Sequence, residues 1–375
     1  MPKHPRKLTA VAAVAVVAGL YATQAGAAPL AAKDERVKHR PPESALRAPA
    51  ATAPPPTAPA DPRDAAGTAQ AAEPAEASAS LGLVEPQALA ELDLDSGQQP
   101  EGVVVEPDGS VVATFSQARQ IARIHQDGTV SVLATLPAPP PHAETPAVGE
   151  PFLGGIARTD DGALHVVYAT GTAELTGVWR LPPDGGKARR TTPLPADSLP
   201  NGIAVDARAR QLYVTDSVGG AVWRAPLAGG RAVKWNDHPA LAPSDEEYFL
   251  GANGIRIHDG SVWVTNHDRG TVLRFPRTGT GTGAAPETVV EGLGEIDDLE
   301  FVGRGDAFLV TGVTDSRVVL VRDDGRSVDA VDVLTEDDGL QNPTALARHG
   351  STVHVASSAA YTLTDPNVLS ARLTG

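Results

Sequence analysis

The chain has 375 residues, a formal net charge of -15 and no cysteine. That charge disfavours nucleic acid and anionic membrane as partners, since both reward a basic face. The missing cysteine excludes disulfides, thiolate metal sites and thiol nucleophiles.

Met1 to Ala27 reads as a secretory signal peptide. Lys3, Arg6 and Lys7 precede an apolar stretch from Val11 to Leu20, and Ala25-Gly26-Ala27 supplies small residues for cleavage. The expectation is a secreted, extracellular protein with no membrane attachment once the signal is removed. Residues 28–80 are rich in Ala and Pro and carry almost no large apolar side chains. Such a segment cannot offset the entropy lost on ordering, so it reads as a disordered linker.

From Leu81 the texture changes to short β-prone runs punctuated by Gly and Asp-Gly, and helical periodicity disappears. One unit recurs. Asn201-Gly202-Ile203-Ala204-Val205 is followed by Leu212-Tyr213-Val214-Thr215-Asp216, and Asn253-Gly254-Ile255-Arg256-Ile257 by Val262-Trp263-Val264-Thr265-Asn266. Weaker copies start at Glu101, Gly154, Asp297 and Asn342, and successive starts lie 44 to 53 residues apart. Six four-stranded units of that length predict an all-β, six-bladed β-propeller over residues 81–375. Tight hairpins are expected at pairs such as Asp108-Gly109, Asp161-Gly162 and Asp127-Gly128. The sixth unit ends on its third strand, whereas Gln87 to Leu92 precedes the first unit like a fourth. The N-terminal strand is therefore expected to close the last blade, which removes the open edges of the ring.

In a propeller the first strand of each blade lines the central channel. The residues that start the units, Glu101, Gly154, Asn201, Asn253, Asp297 and Asn342, should then look into its mouth. Carboxylates and carboxamides converging there form an oxygen set suited to Ca2+ or another hard divalent cation rather than zinc or copper. An Asn, Asp or Gly before a strand can also serve only to shape the loop.

The Glu101-Gly102, Asn201-Gly202, Asn253-Gly254 and Asp297-Asp298 series resembles the superfamily of senescence marker protein (regucalcin), gluconolactonase and paraoxonase. The resemblance spans nearly all of residues 81–375, although its motifs are short. It implies that Glu101, Asn253 and Asp297 ligate a metal, often calcium, with Asn201 as a ligand or substrate contact. It also implies a hydrolase of a lactone or related ester, with Asp297 as the proton-accepting carboxylate and Asp298 beside it. Departures are plain: Asp298 stands where gluconolactonases usually carry glycine, Gly154 offers no side chain, the paraoxonase disulfide is impossible, and no paraoxonase-type histidine pair precedes Glu101.

The loops between second and third strands should form the rim on the same face as the ligands. There His267 could shuttle a proton or could be an ordinary loop histidine, while Asp216 and Asp268 suit bracing, and Asn342 is a further rim or substrate contact. The glycine-rich run 279–283 lacks the lysine and following helix of a phosphate loop and reads as a flexible connection. Neither a Gly-x-Ser-x-Gly elbow nor a local triad motif is present. The expected partner is a small ester or lactone, and the chain is expected to act as a monomer. Two other functions remain open: a binding propeller of the NHL-repeat kind, which Gly202 to Asp216 also resembles, and a metal-free propeller like strictosidine synthase.

Overall fold

The computed structural model describes residues 81–244, 250–277, 284–303, 305–323 and 327–375. The signal and linker segments read from residues 1–80, and the glycine run 279–283, lie outside the described residues.

Six four-stranded antiparallel sheets follow one another as blades. Their innermost strands are Pro100–Val105, Phe152–Arg158, Pro200–Asp206, Ala252–His258, Ile296–Phe301 and Pro343–His349. Each chain segment then steps outward through its blade by short hairpins. At the tips of blade one, Gly109 and Gly128 adopt φ of 84° and 82°, conformations that a side chain disfavours. In the same hairpins Asp108 Oδ1 accepts from the Ser110 amide at 2.9 Å and Asp127 Oδ1 from the Thr129 amide at 3.0 Å. The Asp-Gly pairs thus build these turns with both backbone freedom and a side-chain acceptor.

The ring closes as the repeat predicts. The N-terminal strand Gly82–Glu91 pairs antiparallel with Asn367–Thr374 as the outermost strand of blade six. Outer and inner strands of that blade therefore come from opposite ends of the folded segment, and no blade is left with three strands.

Apolar side chains alternate along the strands and pack between blades rather than within a single central core. Between blades four and five, the buried Trp263 meets Phe301 and Phe308 edge-on, with ring centroids 5.0 and 5.7 Å apart. These interfaces fix the blades, so that residues on six separate inner strands can face one another across the axis.

Candidate metal and catalytic site

Every inner strand carries a pairing irregularity at the same place. It lies between Pro100 and Gly102, Leu153 and Ile156, Pro200 and Ile203, Ala252 and Ile255, Ile296 and Leu299, and Pro343 and Ala345. A bulge of this kind releases a residue from the ladder and re-aims it. Here the released positions are Glu101, Gly154, Asn201, Asn253, Asp297 and Thr344.

Glu101, Asn201, Asn253, Asp297 and Asp298 line one small cavity on the channel axis, of about 30 Å3. This is room for one water or one ion. Thr344 completes the ring in blade six. Asn342, expected in that place, is instead displaced to the preceding loop. Its Oδ1 accepts from the amides of Tyr361 and Thr362, both at 2.9 Å, and its Nδ2 donates to the Val313 carbonyl at 3.0 Å. The correction has a simple cause: Pro343 pairs with Ser357 as Pro100 does with Phe115 and Pro200 with Asp216, so the residue after the proline faces the channel.

The backbones of these channel residues are held by neighbouring blades, through threonines to which the sequence assigned no role. Thr114, Thr215 and Thr265, on second strands, accept from the bulge amides of Gly102, Gly202 and Gly254 at 2.9, 2.7 and 2.7 Å. Each also donates across the blade boundary to the carbonyl of Gly154, Asn253 and Asp297 respectively. The glycines permit this approach: a Cβ on Gly202 would lie 2.4 Å from the Asn253 carbonyl oxygen, and one on Gly254 2.7 Å from that of Asp297.

Electrostatics set this cavity apart. Burial pushes the Glu101 carboxyl up to about 8, against a smaller opposing effect of a hydrogen bond from Thr344. Asp297 is pushed well above the usual carboxylate range by burial and then by the charges of Glu101 and Asp298. Asn253 is 1% exposed, and its Oδ1 is buried without a hydrogen-bond partner. A buried acceptor left unpaired costs about 1–3 kcal/mol.

Arg256 lines the same cavity and reaches from blade four toward blades five and six. Its Nη2 donates to Asp298 Oδ2 at 2.6 Å and to the Leu346 carbonyl at 2.9 Å, and its Nε donates to Glu300 Oε2 at 3.1 Å. Asp298 Oδ2 also accepts from the Leu346 amide at 3.3 Å, whereas its Oδ1 is buried and unpartnered. One oxygen of Asp298 is thus anchored and the other is left free at the cavity. Burial raises the Asp298 carboxyl, and the Arg256 charge partly offsets this.

The rim residues divide. Asp216 accepts from the amides of Leu199 and Gly219 at 3.0 and 2.9 Å and from Trp223 Nε1 at 3.0 Å, so it braces its loop. Asp268 accepts from the Leu250 amide at 3.1 Å and from His267 Nδ1 at 3.2 Å. His267 is 5% exposed and does not line the cavity. Tyr361 holds a phenol whose pKa is raised by burial and then by the charges of Glu295, Asp297, Glu101 and Asp268. It lies in the field of Glu101 and Asp297, a role no sequence signal announced. Among the described residues a separate cluster, His258, Asp259 and Asp306, brings three ligand atoms within 4.8 Å of one another. Its groups are engaged in bracing: His258 stacks on Phe301 at 3.7 Å, and Asp306 pairs with Arg274 at 3.2 Å.

No family model matches this chain, and no curated protein matches it. Solved structures do. The chain is similar to the PQQ-bound form of aldose sugar dehydrogenase from Streptomyces coelicolor, at 13% identity and a TM-score of 0.57, over 79% of this chain and 98% of that one. It is similar to regucalcin from Agrobacterium tumefaciens, described as a calcium-binding protein, at 15% identity and a TM-score of 0.53, over 78% and 95%. A streptogramin B lyase structure matches at 15% identity and a TM-score of 0.52, over 77% and 98%. This chain is a six-bladed propeller, and its likeness to these structures is one of fold. At such identities the likeness extends to the fold, so the chemistry has to come from the residues described above.

Proposed function

We propose that this protein is a secreted, divalent-cation-dependent hydrolase of a lactone or related ester, with Ca2+ the cation its donors suit best. The observation that carries the reading is the unpaired Asn253 Oδ1 at a cavity shared with Glu101 and Asp297. Two carboxylates and two carboxamides match the hard-oxygen coordination of calcium, and a cation would offset the burial that pushes Glu101 and Asp297 up and the charges of Glu101 and Asp298 that push Asp297 further. The residues therefore fit the ion. Glu101, Asn201, Asn253 and Asp297 would hold it.

When bound, a divalent cation would supply positive charge that polarises a carbonyl oxygen. The chain's own residues do the rest. Asp297 would accept the proton of the attacking water, a role that suits a buried carboxylate beside the bound cation. Asp298, fixed through one oxygen by Arg256, holds a charge beside Asp297 and presents its free oxygen to the cavity. Tyr361 and the His267-Asp268 pair lie on the rim side, where they can position the leaving group and carry its proton away. A scaffold built only for binding would have no use for unpaired acids and amides on the axis. The signal sequence expected at residues 1–27 supports an activity outside the cell.

The test is a screen of lactones and aryl esters with and without chelator. Hydrolysis that chelator abolishes, calcium restores and Asp297→Asn eliminates supports the reading. Turnover indifferent to chelator, or surviving in Asp297→Asn, contradicts it.

A further inference from the structure

The residue after each channel position is constrained by how closely the next blade approaches. In blades one to four it is Gly102, Gly155, Gly202 and Gly254, where a Cβ would stand 2.9, 2.8, 2.4 and 2.7 Å from the backbone of the next inner strand. Asp298 occupies the same place in blade five. Thr311 Oγ1 accepts from its amide at 2.9 Å, as Thr114, Thr215 and Thr265 do from the amides of Gly102, Gly202 and Gly254. Blade five thus carries a buried carboxylate where four other blades have no room for a side chain. We infer that Asp298 is a ligand of the channel cation through its Oδ1, and that Arg256 is the residue that positions it. The inference rests on the cation site proposed above and adds Asp298 to the carboxylates Glu101 and Asp297.

Asp298 is 7% exposed, yet its Oδ1 has no hydrogen-bond partner. Its other oxygen is pinned from two blades, by Arg256 Nη2 at 2.6 Å and by the Leu346 amide at 3.3 Å. Oδ1 is therefore fixed as well. It lies against Gly254, where a Cβ would meet it at 2.8 Å, and so beside the residue that follows Asn253. Asn253 and Asp298, on adjoining blades, line the same cavity of about 30 Å3, and each has a buried, unpaired Oδ1. Leaving such an acceptor unpaired is unfavourable, and more so on a carboxylate. A single cation satisfies both.

The size of the space favours an ion over a water. Both oxygens offer almost no surface to a water molecule. A bare cation coordinates oxygen at about 2.3–2.6 Å, nearer than the roughly 2.8 Å of a hydrogen bond from water. Arg256 holds rather than binds. Besides its contact with Asp298, it donates to the carbonyls of Ile255 and Leu346 at 3.0 and 2.9 Å and to Glu300 Oε2 at 3.1 Å, so each nitrogen is engaged. A planar fork committed in this way fixes the carboxylate it grips.

The experiment loads the full chain with one equivalent of Tb3+, a luminescent cation that takes the same oxygen donors as calcium. Its decay rates in H2O and D2O count the waters bound to it, and the signal read is the part that calcium displaces and Glu101→Gln abolishes. In Asp298→Gly, which installs the residue of the other blades, a water replaces the lost oxygen: the count should rise by about one and affinity fall at least about tenfold. Asp298→Ala should behave alike, which keeps the test decisive if the glycine variant does not fold. Asp298→Asn keeps an oxygen without the charge, and should lose affinity at an unchanged water count. Arg256→Lys keeps the charge without the fork, and its count should rise toward that of Asp298→Gly. A wild type with no such Tb3+ signal overturns the cation site itself. A signal whose water count is the same in wild type, Asp298→Gly and Asp298→Ala overturns the role of Asp298 alone, as does an equal gain of water in Asp298→Asn. An unchanged count in Arg256→Lys overturns the positioning role of the arginine.

Discussion

Two levels of the same channel handle charge in opposite ways. At the floor, Arg256 answers Asp298 and Glu300 directly and shares its remaining donors with the carbonyls of Ile255 and Leu346. At the mouth, Asp297 feels the charges of Glu101 and Asp298, neither Glu101 nor Asp297 forms an ion pair among the described residues although Arg256 lines the same cavity, and the Asn253 carbonyl oxygen is unpaired. The floor is finished as a structure. On the proposed reading a cation completes the mouth, and the difference between the two is what singles out the mouth as the candidate site.

The contrast can be broken from either side. Removing the floor's cation should do the most damage: Arg256→Met strands two carboxylates in the channel and should cost about 3 kcal/mol, read from denaturant unfolding. A loss below about 1 kcal/mol would mean that solvent already screens the floor and that the two levels do not differ.

The mouth should respond with the opposite sign. Glu101 has a carboxyl raised to about 8, above the ordinary 4.5, so its neutral form is favoured by folding. In cation-free protein its contribution is fully present below pH 4.5 and is lost as the pH rises through about 8. Glu101→Gln should flatten that part of the stability profile, and saturating calcium should hold the wild type up at high pH. Identical profiles for wild type and variant, measured as thermal midpoints from pH 4 to 9, would contradict this.

The smallest effect sharpens how the mouth is built. Thr265→Val removes the hydroxyl that joins the Gly254 amide to the Asp297 carbonyl and should cost about 1–2 kcal/mol. Because the change moves a ligand's support, cation affinity should fall about tenfold, as for other groups behind metal ligands. Loss of stability with unchanged affinity would reduce the threonine to a simple tie between blades.

How much of this the sequence disclosed depends on whether a feature repeats. The blades, the closing strand and four of the channel residues carry a periodic signature, because each blade must solve the same problem of bulge, turn and inter-blade contact. Blade six shows the limit. Asn342 matched the pattern by residue type, but the backbone follows the proline, and aligning Pro343 with Pro100 and Pro200 points to Thr344. The threonines Thr215 and Thr265 also repeat, one residue before the ends of their strands, and were legible as a spacing though not as a function. Arg256 was not legible at all. It occurs once, and its partners are 42, 44 and 90 residues away in sequence.

The most direct test of the central claim is calcium titration of the chelated protein by calorimetry. One ion should bind per chain in the wild type, with binding lost in both Glu101→Gln and Asp297→Asn while each variant keeps its far-ultraviolet spectrum and cooperative unfolding. A wild type that binds no calcium, or variants that bind it as well as the wild type, would show that the channel mouth is not the cation site.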